Sequence, residues 1–205
     1  KAEILALRSK AYQMLSEIKN PKDPQTFIDR AERKIFLKDY NPPKYFVDYI
    51  DLNIELYEDF SIVKTIMKFR KNHTSNENSE DLILNGEKVD LKSIYLDDKK
   101  LNKNQYDKNN SHLVIHKVPE EFILKTEISI QPQKNTELEG LYKSGSIFCT
   151  QCESEGFRKI TYSLDRPDIM SLYTTTISAD LKKYPILLSN GNLIDSGILG
   201  NGRHW

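Results

Sequence analysis

Alternating apolar and polar residues dominate the middle of the chain. Apolar side chains occupy every second position from Ile50 to Leu56, and the positions between them are polar. A two-residue period of this kind predicts a strand with one buried face. A second alternating run, residues 62–69, follows the acidic pair Glu58-Asp59 and is predicted to form a hairpin with the first.

Further short apolar runs predict more strands, separated by polar or glycine-containing turns. The predicted strands cover residues 82–84, 91–96, 113–118, 122–130, 158–164, 173–179, 184–188 and 193–199. Ser189-Asn190-Gly191 is a typical hairpin turn between the last two. Residues 99–110, which are rich in lysine and asparagine, are predicted to be a solvated turn region. Many short strands at regular spacing favour a mainly β, sandwich-like domain.

The first part of the chain follows a helical period instead. Residues 2–18 carry loosely spaced apolar positions, and Asn20-Pro21 is expected to end that helix. Asp23-Pro24 predicts the start of a second, short helix. We interpret residues 1–34 as a helical N-terminal extension and residues 35–205 as the β domain.

Composition excludes several classes of partner and favours one compartment. Lys and Arg total 30 and Asp and Glu total 30, so charge indicates neither nucleic acid nor a membrane surface. No apolar run reaches the length of a membrane span. Two cysteines close together do not form a secreted disulfide framework, which favours a reducing, cytoplasmic compartment. Because the chain begins with Lys1 rather than Met, the sequence leaves open whether a leader segment was removed.

Cys149 and Cys152 have the C-x-x-C spacing of redox pairs and zinc sites. A redox pair requires a feature such as a helix N-terminus to lower the thiol pKa, whereas loop and strand are predicted here. A structural zinc site requires two further ligands, and the chain has no other cysteine. We therefore expect free, partly buried thiols and no metal.

His112 and His116 have the spacing of the two histidines in the H-E-x-x-H zinc helix. The residues between them are Leu113, Val114 and Ile115, so the glutamate base is missing. On a predicted strand, positions four apart are separated by about 13 Å, too far for one metal ion. The sequence also has no glycine-rich phosphate loop and no G-x-S-x-G motif. We expect neither a catalytic residue nor a metal ligand in these residues.

Glycines, cysteines and charges concentrate in the run from Leu138 to Pro167. Loops that carry function and loops that need unusual backbone angles both have this composition. By its chemistry alone, Glu153 is either a solvated loop acid or a partner of Arg158. Arg158, Asp165 and Arg166 are expected to hold the loop and its flanking strands.

The same run resembles the N-terminal domain of the aminopeptidase N-type zinc metallopeptidases, the gluzincin aminopeptidases. The matching segments, in the family's order and spacing, are LEGLY at 138–142, CTQCE at 149–153, GFR at 156–158, DRPD at 165–168, KYP at 183–185, LLSNG at 187–191 and GRHW at 202–205. The resemblance covers about Tyr40 to Trp205 and is strongest from Glu137 onward. It implies a large, twisted, multi-sheet, saddle-like β domain that packs against a helical catalytic domain.

The resemblance also implies roles for two residues of the loop. Glu153 is expected to bind the α-ammonium group of a peptide with a free amino terminus, and Gln151 to line the pocket for its first side chain. The zinc ion and the H-E-x-x-H base would belong to a catalytic domain whose motif is expected beyond Trp205. This chain alone is therefore expected to bind no catalytic zinc and to be inactive.

Two alternatives from other classes remain beside this interpretation. One is a non-enzymatic β-sandwich that serves as a binding or scaffold module. The other is a thiol redox protein that uses Cys149 and Cys152. The sequence downstream of Trp205 discriminates the first alternative, and the thiol pKa values discriminate the second.

Overall fold

The structure is a computed structural model that describes residues 40–75 and 79–205. The helices predicted within residues 1–34 lie outside the described residues. The chain divides into two units, residues 1–41 and 42–205, and the strands of the described residues belong to the second. No helix in the described part is long and apolar enough to cross a membrane.

Thirteen strands lie within the described residues. Their bounds are β1 Tyr45–Leu56, β2 Ser61–Lys71, β3 Leu82–Asn85, β4 Asp90–Leu96, β5 Lys99–Lys100, β6 Tyr106–Lys108, β7 His112–Ile115, β8 Glu121–Ile130, β9 Gly140–Ser144, β10 Ile147–Gln151, β11 Leu172–Asp180, β12 Ile198–Leu199 and β13 Arg203–His204. Short 3₁₀ helices cover Pro132–Lys134, Phe157–Lys159 and Gly200–Gly202.

The strands form three sheets. The largest has eight strands in the order β12-β13-β11-β1-β2-β8-β4-β5, and the smaller ones have the orders β3-β7-β6 and β10-β9. Within the large sheet β1 pairs antiparallel with β2, as the sequence predicts, and parallel with β11. The predicted mainly β, multi-sheet fold is confirmed.

Alternation along β2 and β8 builds the centre of the core. Val63, Met67 and Phe69 point to one face of β2 and are fully buried, and the same face of β8 contributes Leu124 and Phe122. The rings of Phe69 and Phe122 stack with centroids 5.0 Å apart across the two strands. Because the side chains of a strand alternate between its faces, one apolar residue in two is enough to cover this core.

The strand predicted for residues 158–164 is wrong. Phe157–Lys159 is a 3₁₀ helix, and only Ser163 makes an isolated bridge, to Asn85. Lys159 and the four residues that follow it are all buried, so this segment is enclosed on every side and has no exposed face. Enclosure of consecutive residues does not require a ladder partner, and the apolar run alone cannot distinguish the two cases.

The strands predicted for 184–188 and 193–199 are also wrong, apart from Ile198–Leu199. Gly191 has the positive φ, 89°, of a turn residue, but no ladder forms on either side of it. Most apolar residues of both runs are exposed, although Tyr184 and Leu187 pack against the core, and an isolated two-stranded hairpin buries too little surface to be stable in water. In the reverse sense, the predicted turn region 99–110 contains the short strands β5 and β6.

His116 connects the strands of the three-stranded sheet through two aspartates. Its Nδ1 lies 3.1 Å from Asp81 Oδ2, and its Nε2 lies 3.1 Å from Asp107 Oδ2. The hydrogen bonds to Asp81 and Asp107 raise the pKa of His116, and the bond from His116 lowers the pKa of Asp81. The two hydrogen bonds therefore favour the protonated form of His116 at the sheet surface.

This arrangement predicts how stability varies with pH. Because the folded pKa of His116 is above its ordinary value of 6.5, its contribution is complete below that value and is lost as pH rises through the folded pKa. At the acid end, the contribution of Asp81 is lost as pH falls through its lowered pKa. The urea midpoint of His116→Asn should therefore fall less than that of the wild type as pH rises from 6.5.

The matched control is His112→Asn, since the ring of His112 contacts the Ser111 hydroxyl rather than an aspartate. This variant should retain the pH dependence of the wild type. Parallel pH profiles for the wild type and His116→Asn would contradict the assignment.

Candidate functional site

The site begins with a hairpin that sequence reasoning missed. β9 and β10 pair antiparallel from Gly140–Gln151 to Ser144–Ile147. The two residues between them, Gly145 and Ser146, form the turn, and Gly145 has a φ of +58°. A Gly-Ser pair between two strands is a recognised hairpin signal, so the sequence contained the information that the interpretation as a loop overlooked.

A tight turn follows β10 and carries the predicted site residues. The Gly156 N–H donates to the Cys152 carbonyl at 2.9 Å, which closes a turn around three exposed residues, Glu153, Ser154 and Glu155. Gln151 is also exposed, and its side-chain amide donates to the Glu153 carbonyl oxygen at 3.3 Å. The structure therefore places the two predicted substrate-binding residues side by side at the end of the hairpin.

The carboxylate of Glu153 makes no hydrogen bond or ion pair with any other residue in the described part of the chain. The sequence left open an ion pair between Glu153 and Arg158, and that interpretation is wrong. Arg158 Nη2 lies 3.2 Å from Glu155 instead, two residues further along the turn. Glu153 therefore extends into solvent while its neighbour is engaged.

Arg158 joins the turn to the body of the domain, as expected from the sequence. Its Nε donates to Asp165 Oδ2 at 2.7 Å, and its Nη2 donates to the Asp165 carbonyl at 3.2 Å. Both side chains are largely buried, with 14% of Arg158 and 9% of Asp165 exposed. A buried ion pair that is supported by a second hydrogen bond to the backbone carbonyl is held far more firmly than one at the surface.

Lys159 performs the same task for the residues that precede the first strand of the hairpin. Its Nζ binds Glu137 and lies 2.6 Å from Glu139 Oε2, and only 6% of its side chain is exposed. Burial opposes the charge on Lys159, but the hydrogen bonds to the two glutamates outweigh that effect and raise its pKa. At Gly140, which has a φ of +71°, a Cβ would lie 2.5 Å from Lys159 Cβ, so glycine lets the lysine approach.

The flank of the hairpin packs against residues far along the chain. The rings of Phe148 and Tyr184 lie 5.1 Å apart, and Lys143 Nζ lies over both. Glu58, at the turn between β1 and β2, accepts hydrogen bonds from Lys143 at 3.2 Å and from the Tyr184 hydroxyl at 2.9 Å. The hairpin is therefore held along its flank and at its base, where Lys159 and Arg158 fix the residues before β9 and after β10.

The two cysteines do not form a reactive site. Both are free, and burial raises the pKa of Cys152 to about 11. Reactive thiols have lowered pKa values, so a thiol with this value is almost entirely protonated at neutral pH. This geometry disfavours the redox alternative.

The described residues also lack the donor set that zinc requires. Within residues 40–75 and 79–205, no three His, Cys, Asp or Glu side chains are grouped as a metal site. His116 is occupied by two aspartates, and Cys152 is protonated. A zinc ion therefore does not fit this part of the chain.

Residues 170–198, here called the apolar segment, expose an unusual amount of apolar surface. Seven large side chains are between 72% and 85% exposed: Met170, Leu172, Ile186, Leu188, Leu193, Ile194 and Ile198. The segment reaches the site through Tyr173, whose ring packs edge-on against Phe157 with centroids 6.0 Å apart. Soluble proteins rarely leave this much apolar surface without a partner.

Solved structures with the same fold include an aminopeptidase and M1 zinc metallopeptidases. Aminopeptidase A of Legionella pneumophila, solved in complex with aspartic acid, superposes with a TM-score of 0.77 at 36% identity, over 82% of this chain and 20% of that one. An M1 zinc metallopeptidase of Deinococcus radiodurans superposes with a TM-score of 0.63 at 11% identity, over 80% of this chain and 38% of that one. The second likeness is one of fold alone.

Residues 41–205 match the family described as the Peptidase M1 N-terminal domain, and the chain belongs to this family. Aminopeptidase N of Escherichia coli strain K12 is 45% identical over 167 residues, which are 82% of this chain and 19% of that protein. Aminopeptidase N of Caulobacter vibrioides is 43% identical over 169 residues, again 82% and 19%. The chain therefore spans about a fifth of the length of these relatives. The resemblance inferred from the sequence is confirmed.

The closeness of Gly156 to the end of β10 leads to a prediction about the turn. A Cβ at this position would lie 2.6 Å from the Gln151 carbonyl oxygen and 2.7 Å from Cys152 Cα. Because both neighbours are backbone atoms, Gly156→Ala should lower the free energy of unfolding by about 1–3 kcal/mol through overpacking. Urea denaturation measures this difference.

The matched control for this prediction is Gly200→Ala, where a Cβ meets nothing within 4 Å. This change should alter stability by less than about 0.5 kcal/mol. Equal stability of the two variants would show that the turn does not depend on close approach at Gly156.

Proposed function

We propose that this chain is the N-terminal domain of a zinc aminopeptidase that removes amino-terminal residues from peptides. In this proposal Glu153 binds the α-ammonium group of the substrate, and Gln151 lines the pocket for its first side chain. The observation that carries the proposal is an exposed carboxylate, without an ion-pair partner among the described residues, on a turn fixed at both ends.

Recognition of an amino terminus requires a carboxylate that is both available and immobile. A hydrogen bond to a charged group contributes about 1.5–3 kcal/mol, and less of that is lost to ordering when the group is already held in place. The guanidinium of Arg158 is already paired with Glu155 and Asp165, which leaves the Glu153 carboxylate without a cationic partner among the described residues. Gln151 donates to the Glu153 backbone and therefore shares the position of that residue.

The proposed partner of this domain is the catalytic lobe of the same protein. The apolar segment is the surface best suited to receive it, because its seven large side chains are mostly exposed. The contact between Tyr173 and Phe157 brings one end of the segment next to the Glu153 turn. A lobe that covers the segment would therefore lie beside Glu153 and could hold the zinc ion that the described residues do not fit.

We also propose a cytoplasmic location for the whole protein. The support for it is the pair of free thiols, Cys149 and Cys152, since disulfides persist mainly in oxidising compartments.

The role of Glu153 is tested by Glu153→Gln in the full-length protein. Loss of the charge should reduce kcat/KM for an aminoacyl chromogenic substrate by about 10- to 100-fold, the equivalent of one charged hydrogen bond. Steady-state kinetics gives this ratio. Glu121→Gln, at the exposed start of β8, is the matched control and should keep the wild-type value. A wild-type kcat/KM for Glu153→Gln would refute the proposed role.

The docking surface is tested by Leu188→Asp in two proteins. In the 205-residue chain the substitution should change stability little, because Leu188 is 83% exposed. In the full-length protein it should lower the melting temperature, because an unpaired charge would be buried against the catalytic lobe. Ile83→Asp, 54% exposed on β3, should have similar effects in both proteins. Equal effects of Leu188→Asp in the two proteins would rule out docking at this segment.

A further inference from the structure

We infer that Arg158 is a positioning residue for recognition of the substrate amino terminus. It does so by joining Glu155, within the turn that carries Glu153, to Asp165 in the body of the domain. The inference rests on the proposed role of Glu153 and adds to it the device that sets where the carboxylate lies.

The carboxylate of Asp165 anchors Arg158 to the body of the domain. Asp165 is 9% exposed, and its Oδ2 accepts hydrogen bonds from both the backbone N–H and Nε of Arg158, at 3.2 and 2.7 Å. The backbone N–H of Asp165 in turn contacts Asn85 Oδ1, at the end of β3, at 3.4 Å. The carboxylate that receives Arg158 is therefore attached to the three-stranded sheet.

The guanidinium of Arg158 is held by several groups at once. Besides Asp165, its Nη1 lies 3.8 Å from Glu87 Oε1, and the Arg158 carbonyl accepts the Glu87 N–H at 2.9 Å. The side chain is 14% exposed, so the position of its Nη2 atom is set by the body of the domain rather than by solvent.

An ion pair links the guanidinium of Arg158 to the turn. Arg158 Nη2 lies 3.2 Å from Glu155 Oε2, and Glu155 is two residues after Glu153 within the turn closed by Cys152 and Gly156. On the other side, the Gln151 amide donates to the Glu153 carbonyl. The backbone of the turn is therefore fixed on both sides of Glu153, whose carboxylate is left available.

The geometry requires arginine and not merely a positive charge. Nε donates to the Asp165 carboxylate, while Nη2 lies within reach of both the Asp165 carbonyl oxygen and the Glu155 carboxylate. A lysine ammonium is a compact charge at the end of a flexible chain and cannot reproduce this fork. Arg158→Lys therefore keeps the charge and removes the link to the turn.

The experiment is a double-mutant cycle in the full-length enzyme, with kcat/KM for an aminoacyl chromogenic substrate as the readout. Arg158→Lys should reduce kcat/KM on the order of tenfold, since small displacements of a binding group have effects of this size. If Arg158 acts through Glu153, adding Arg158→Lys to Glu153→Gln should cause no further loss. A general effect on folding would multiply with that of Glu153→Gln instead.

Two further variants keep the test informative. Glu155→Gln leaves the pair between Arg158 and Asp165 intact and weakens only the link to the turn, so it should cause the same non-additive loss even if Arg158→Lys folds poorly. Arg70→Lys changes an arginine that pairs with Asp48 on the large sheet and should leave kcat/KM unchanged.

The outcomes separate the inference from the proposal on which it rests. Wild-type kinetics for Glu153→Gln would overturn the proposed function and the inference together. A defect in Glu153→Gln with wild-type kinetics for Arg158→Lys and Glu155→Gln would overturn the inference alone. Losses that multiply in the double variants would also overturn it, because Arg158 would then act independently of Glu153.

Discussion

The structure around the candidate site depends on burial of the segment from Lys159 to Asp165. Both terminal residues of this segment carry charges that are almost inaccessible to water. A buried charge is tolerated only when a partner of opposite sign is held beside it. The partner of Lys159 is Glu139, before β9, and the partner of Asp165 is Arg158, after β10. The need to neutralise one enclosed segment thus determines where the hairpin begins and where its turn ends.

Two glycines make that enclosure sterically possible. At Gly86 a Cβ would lie 2.3 Å from the ring of Tyr162, so only glycine lets this large side chain reach its fully buried position. At Gly140 the same argument applies to Lys159. The packing of the enclosed segment therefore depends on glycines that lie beside two different sheets, Gly86 directly after β3 and Gly140 at the start of β9.

The domain combines a firmly held turn with a surface that lacks a partner. Ion pairs fix the hairpin at its base and aromatic contacts fix its flank, whereas the apolar segment exposes side chains such as Leu193 and Ile194. A rigid element next to an uncovered apolar surface suits a domain that contributes one wall of a site and receives the other from elsewhere. The Glu153 carboxylate is available because Arg158 already pairs with Glu155 and Asp165 within the domain.

The sequence by itself determined the strands in which apolar and polar residues alternate with a period of two. β1, β2 and β8 follow from local alternation because each buries one face, and a pattern of single residues is enough to specify which face. The family resemblance, through motif order and spacing, also led to the prediction that Gln151 and Glu153 bind substrate. The alternation of apolar and polar residues cannot identify a segment that is buried on every side. Short apolar runs also led to predicted strands in segments whose apolar residues are mostly exposed.

Only the tertiary structure decided which of two glutamates binds Arg158. Glu153 and Glu155 are chemically identical and lie close in sequence on the same side of the arginine, so no local rule separates them. The choice follows from the closure of the turn by Gly156 and from the fixed position of Asp165, which depends on a residue as distant as Asn85. Charge pairing is a property of where side chains end in space, and the sequence specifies that position only through the complete fold.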